Sequence, residues 1–183
     1  MRIAIVVFAL IASSSAMGSS PAKTDGEVII FLHNAFFEKN KEGQAHERFG
    51  AYDFDGIKAA LGEGHTLIAP ERGPSADPQQ AADALVADVE GMIESGRSAD
   101  QIKVIGTSKG AYIAQLASAQ LQEPEVRWVL VGGCHTKRMS KGEFPAMTGR
   151  VLSIYDTSDQ IASSCAPYKA LTAKTHSFQE ISI

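Results

Sequence analysis

Apolar positions along this chain alternate between two periodicities. Short continuous runs, "EVIIFLH" (Glu27–His33), "HTLIAP" (His65–Pro70), "QIKVIGT", "RWVLVGG" and "RVLSIYD", read as strands. The first is unbroken, as expected of a strand buried on both faces of a parallel sheet. Between them the spacing is helical. "DFDGIKAALG" reads as a short helix capped by Asp53 or Asp55 and stopped by Gly62. Asp77-Pro78-Gln79-Gln80 combines an acidic cap, a first-turn proline and a capping-box glutamine. Leu85, Val89, Met92 and Ile93 then recur on one face until Gly96. Ile113, Leu116, Ala117, Gln120 and Leu121 trace another helix face. "EKNKEGQAHERFG" (Glu38–Gly50) is charged and loop-like, "IASSCAPYKALTAKT" is a helix candidate, and "SFQEISI" alternates as a last strand.

Strands alternating with helices predict a mainly parallel sheet with helices on both faces. The ligand site of such a sheet lies beyond the carboxyl ends of its strands. The chain has 183 residues, enough for one domain with a substantial core. Acidic residues outnumber basic ones, 21 to 17, and no basic block occurs, which argues against nucleic acid as a partner.

The first residues, "MRIAIVVFALIASSSAMGSS", join a basic start to an apolar run and a small-residue exit. They read as a signal peptide over residues 1–16, cleaved after Ala16, in preference to a buried first strand of similar composition. The run is too short to span a membrane. The expectation is an exported protein, periplasmic or secreted, with no membrane span in its mature form, whose single domain covers residues 17–183.

The stretch "KVIGTSKGAYIAQL" places Gly106-x-Ser108-x-Gly110 between a predicted strand and a predicted helix. A serine exposed on a sharp strand-to-helix turn needs minimal neighbours two positions away. The helix then directs its positive end at charge developing near the serine. The alternative is a glycine turn holding an idle serine. A phosphate-binding Gly-x-x-x-x-Gly-Lys-Ser/Thr loop does not occur, and no clustered ligand pattern supports a metal-dependent hydrolase.

"VIIFLHNA", "GTSKGA" and "VLSIYDTSDQIA" together make the chain resemble the α/β-hydrolase superfamily, and small exported bacterial members in particular. The resemblance implies a serine hydrolase that cleaves an ester-like bond of a small acyl substrate through an acyl-serine intermediate, with no cofactor and no metal. It implies Ser108 as nucleophile, with the backbone N–H groups of Lys109 and Ala35 as oxyanion donors. Asn34 stands where the family usually has glycine, and asparagine tolerates left-handed backbone. The Lys109 side chain is expected to be solvated. The orienting acid is Asp159 in preference to Asp156, which is expected to cap the turn. Cys134 and Cys165 fall just beyond strands that are neighbours in this fold, so a disulfide near the site competes with two unpaired thiols. The short Cys134–Gly149 connection implies no large lid.

The family's chain order puts the histidine after the acid, on the loop following the last strand. His176 is the only histidine after Asp159, but it precedes "SFQEISI" and so belongs at the amino end of the sheet, about 20 Å from the nucleophile. His46 reads as solvated, His65 begins a strand, His33 is expected to shape the oxyanion loop, and His135 precedes both acids. The family pattern therefore implies a chain that stops early, at Ile183, with the closing helix and the catalytic histidine lost. Without its base a serine hydrolase loses on the order of 10⁶ in turnover. The rival reading is a non-catalytic member of the same fold that binds a ligand or partner in the same pocket.

Overall fold

The computed structural model describes residues 26–40, 44–47, 49–139, 141–142 and 144–183. The expected signal peptide lies outside the described residues. Among these, no helix is long and apolar enough to cross a membrane.

Six strands form one sheet: β1 (Val28–Leu32), β4 (Thr66–Ile68), β5 (Ile102–Thr107), β6 (Arg127–Val131), β7 (Arg150–Tyr155) and β8 (Ser177–Ser182). A two-residue antiparallel hairpin, β2 (Ala45–His46) and β3 (Gly50–Ala51), stands apart from it. The spatial order is β4-β1-β5-β6-β7-β8, and every pairing within the sheet is parallel. The chain leaves β1 toward β4 on one side and returns to β5 on the other. Loops after β1 and β5 therefore diverge, and a crevice opens above the carboxyl ends of those two strands. The predicted last strand pairs parallel to β7, with Val151 opposite Phe178 and Tyr155 opposite Ser182.

All five residues of β1 are buried, which accounts for its unbroken apolar run. Val28, Ile30 and Leu32 share a core with Leu85 and Val89 of α3 (Pro78–Glu94) and with Ala111, Ile113, Ala114 and Ala117 of α4 (Lys109–Leu121). On the opposite face the Phe31 ring lies 6.0 Å from Phe54, the first residue of α2 (Phe54–Gly62). Helices therefore cover both faces at β1, whereas Ile105, Val129 and Leu152 further along the α2 face are only half-buried.

Local signals set the helix limits. Asp53 caps α2 by accepting the Gly56 N–H, and Asp77 caps α3 by accepting that of Gln80. At the other end of α3, Gly96 adopts φ +97°, its N–H donates to Ile93 and that of Arg97 donates to Met92. This is the reciprocal pattern that satisfies the last carbonyls of a helix. Departures from expectation lie in the loops. The stretch after β1 contains α1 (Ala35–Lys39) as well as the hairpin, and α5 (Thr136–Met139) interrupts the connection after β6. The helix expected across residues 161–175 shrinks to α6 (Lys169–Thr172), because Pro167 and the Cys165 link hold the preceding segment irregular.

The turn from β5 into α4 is the tightest point of the fold. A Cβ on Gly110 would lie 2.1 Å from the Leu32 carbonyl oxygen and 2.8 Å from that of His33. A Cβ on Gly106 would lie 2.5 Å from the Gly110 backbone. Neither obstruction is a flexible side chain that can move aside. Gly110→Ala is expected to cost at least about 2–3 kcal/mol, read as a lower urea midpoint at unchanged m-value. An unchanged midpoint would contradict this packing.

Candidate active site

Ser108 directly follows β5 and caps α4 with φ +50° and ψ −111°, a conformation that costs a non-glycine residue about 1–3 kcal/mol. Its N–H donates to the Val131 carbonyl at 2.9 Å, and its carbonyl accepts the Tyr112 N–H at 3.1 Å. Pinned by strand on one side and helix on the other, the side chain projects into solvent and is exposed. An idle serine in a relaxed glycine turn would not need that geometry.

Ser108 borders a cavity of about 340 Å³ above the crevice, together with Asn34, Ala35, Asp156 and Asp159. The residues expected from the nucleophile, oxyanion and acid motifs thus converge from three separate loops. Ala35 and Lys109 are the first residues of α1 and α4, where backbone N–H groups have no partner within the helix. Asn34 does not use the left-handed conformation: at φ −78° and ψ 174° it is extended, and its side chain accepts the Phe37 N–H at 2.9 Å. It acts as a helix cap instead. Asp156 is exposed and accepts the Ser158 N–H, building the turn, while half-buried Asp159 accepts the Ile161 N–H, each at 2.7 Å.

The histidines sort differently. His176 lies at the amino end of β8, where its N–H donates to Gly149 and its Nδ1 sits 3.5 Å from Glu125. It is across the sheet from Ser108, because β8 runs parallel to β5, so His176, although it alone follows Asp159 in the chain, is ruled out as the base. His65 sits at that same end, 3.7 Å from Glu27. His33 is fully buried beneath the oxyanion loop. Its Nε2 accepts the Arg72 N–H at 2.8 Å, which leaves Nδ1 to donate to Asn34 at 3.0 Å. His46 is half-buried rather than solvated: its ring lies 5.4 Å from Phe36 and 4.9 Å from Phe49, and it borders the Ser108 cavity. His135 borders an adjoining cavity that also contains Ser108. Among the described residues no side chain hydrogen-bonds to the Ser108 hydroxyl.

Two clamps set the loops around Ser108. Buried Glu38 accepts Arg72 Nε on one carboxylate oxygen at 3.0 Å and Lys109 Nζ on the other, and Lys109 also donates to Ala76 at 2.8 Å. The guanidinium of Arg72 further donates to the His33 carbonyl. Lys109 is therefore a structural cation, neither solvated nor free for a substrate. Sequence reading missed this network; Glu71-Arg72 directly after a strand was its one visible trace. The second clamp is a disulfide between Cys134 and Cys165, which ties the loop after β6 to the loop after β7. Closing a loop of 31 positions is worth about 3–4 kcal/mol in the chain-entropy account. Glu180 of β8 reinforces it by accepting from Ser164 Oγ and the Cys165 N–H.

No family model matches the chain, and no curated protein matches it by sequence. Solved structures match across most of its length. SOBER1 of Arabidopsis thaliana superposes with a TM-score of 0.54 at 13% identity, covering 85% of this chain and 88% of that one. A putative dienelactone hydrolase from Klebsiella pneumoniae gives 0.53 at 17% identity, with 88% and 76% covered. The NocB thioesterase domain, solved as a covalent complex with a fluorophosphonate nocardicin G analogue, gives 0.52 at 15% identity, with 89% and 87% covered. At such identities the likeness is one of fold.

Burial holds the His33 imidazole below its ordinary value of 6.5, outweighing its hydrogen bond to Asn34. The unfolded chain therefore takes up this proton first. The stabilising contribution of neutral His33 is complete above pH 6.5 and is lost as pH falls through the folded-state value. The His33 ring resonance should remain that of a neutral imidazole at a pH where a free histidine peptide in the same buffer has titrated, and stability should decline below pH 6.5. A His33 resonance titrating together with the free peptide would refute this.

Proposed function

On the α/β-hydrolase fold that this chain adopts, we propose that the protein is a serine hydrolase acting on an ester-like bond of a small substrate, with Ser108 as nucleophile. The observation that carries this reading is the strained, exposed Ser108 backbone at the strand-to-helix turn, facing a cavity shared with Asp159. Attack on an acyl carbon would place negative charge on the carbonyl oxygen between the Ala35 and Lys109 amides. A general base would take the Ser108 hydroxyl proton and pass it to the departing alkoxide, so that collapse expels the alcohol and leaves an acyl-serine for water to cleave. Asp159, the half-buried carboxylate of the two, is the group proposed to orient the base.

Substrate size follows from the same cavity. Its walls include Phe36, Phe49, Ile161 and Ile183, of which the last three are largely exposed at the mouth. An open apolar recess of this volume suits a short acyl group. The Cys134–Cys165 link supports an oxidising compartment as the working location.

A second reading, a binding protein on the same scaffold, draws on one observation: no described histidine hydrogen-bonds to Ser108. A fluorophosphonate probe separates the two. Labelling of the folded protein that disappears in Ser108→Ala, and slows on the order of tenfold or more in Asp159→Asn, is the expected result. Absence of labelling in a chain with a cooperative unfolding transition would favour the binding protein.

A further inference from the structure

The two backbone N–H groups proposed as oxyanion donors, on Ala35 and Lys109, belong to separate loops, and each is held by bonds made elsewhere. The Ala35 N–H shares one planar peptide unit with the Asn34 carbonyl, and the two groups point in opposite directions. Whatever holds the Asn34 oxygen therefore aims the Ala35 amide. That oxygen accepts from His33 Nδ1 at 3.0 Å. The ring donates there only while Nε2 serves as the acceptor, and the Arg72 N–H, at 2.8 Å, keeps Nε2 in that role. The Arg72 guanidinium returns to the same residue and donates to the His33 carbonyl.

Arg72 and Lys109 meet on Glu38. Its Oε1 accepts Arg72 Nε at 3.0 Å, and its Oε2 accepts Lys109 Nζ. Glu38 lies in α1 three residues after Ala35, with its side chain only 1% exposed. One buried carboxylate thus reaches both amides, the first through Arg72 and His33, the second through the side chain of the residue that bears it. Apolar packing of the same volume would stabilise the fold as well or better than buried charges do. The charged arrangement adds direction, because every bond in the chain has a defined donor, acceptor and length.

We propose that Glu38 is a positioning residue for the oxyanion site, setting the Ala35 and Lys109 amides toward one oxygen through its paired bonds to Arg72 and Lys109. The inference rests on the reading of Ser108 as nucleophile and assigns that site a buried ionic support. Glu38 itself touches no substrate; it acts through the two peptide units.

Fluorophosphonate labelling over a range of probe concentrations tests this. The Ser108 oxygen displaces fluoride from phosphorus with net loss of HF, and saturation yields a binding constant, KI, and a maximal rate, kinact. Charge builds on the phosphoryl oxygen in the transition state, so kinact should fall while KI stays the same. Lys109→Met keeps the Lys109 amide but removes the ammonium, and Glu38→Gln keeps the shape but removes the charge. Each should lower kinact roughly tenfold to a hundredfold, as expected of a misdirected donor. Lys109→Arg should restore most of the rate. A merely structural role would lower the urea midpoint and the labelled fraction, and leave kinact of the folded fraction at the wild-type value. Imidazole nitrogen NMR on the wild type, which needs no variant, should show His33 as the Nδ1–H tautomer. Unchanged kinact in folded Lys109→Met, a Lys109→Arg variant as slow as Lys109→Met, or His33 in the Nε2–H tautomer would each overturn the proposal alone. A wild type that does not label, or labelling that survives Ser108→Ala, would overturn the nucleophile reading and this inference with it.

Discussion

The first turn of α4 presses against the end of β1 so closely that Gly110 sits where any side chain would meet the Leu32 carbonyl. This backbone-to-backbone contact fixes the separation between the nucleophile turn and the loop after β1. It also forces the reversal at Ser108 into a backbone conformation that only surrounding structure can hold. Strand pairing on one side and the buried face of α4 on the other supply that structure. The serine is thereby presented at the sheet edge with its neighbours already in place.

Around this contact the loops are held by interactions of different kind. On the β1 and β4 side, Glu38 gathers Arg72 and Lys109 in a site nearly closed to water. Paired charges of this sort add little net stability over an apolar packing, but removing one partner strands the others at a cost of several kcal/mol. The network therefore acts chiefly as a register pin that keeps α1, the segment after β4 and α4 in one arrangement. On the β6 and β7 side the covalent bond between Cys134 and Cys165 does the corresponding work. Loops that would otherwise sample many positions are fixed at both borders of the crevice.

The consequence is a serine between two dissimilar spaces. One is walled by Phe36, His46, Phe49 and Ile183 and floored by the acidic turn after β7. The other is set by the loop after β6, where aromatic rings frame a guanidinium. Both spaces owe their shape to loop packing above the carboxyl ends of the strands, the same division of labour by which one fold hosts many chemistries.

What could be read from the residues alone follows from short-range physics. Period-two and period-3.6 apolar patterns, caps such as Asp53 and Asp77, the stop at Gly96 and the glycines flanking Ser108 each act within a few positions, so they name strands, helices and the turn directly. The parallel pairing of β8, and hence the removal of His176 from the site, was legible for the same reason. Tertiary structure alone decided the partners of residues far apart in the chain. Lys109 meets Glu38, His46 enters an aromatic recess, Cys134 joins Cys165, and Arg138 settles over Tyr112 and Phe144. These outcomes depend on which loops the sheet order brings together and which groups are then desolvated, and neither quantity is carried by local spacing.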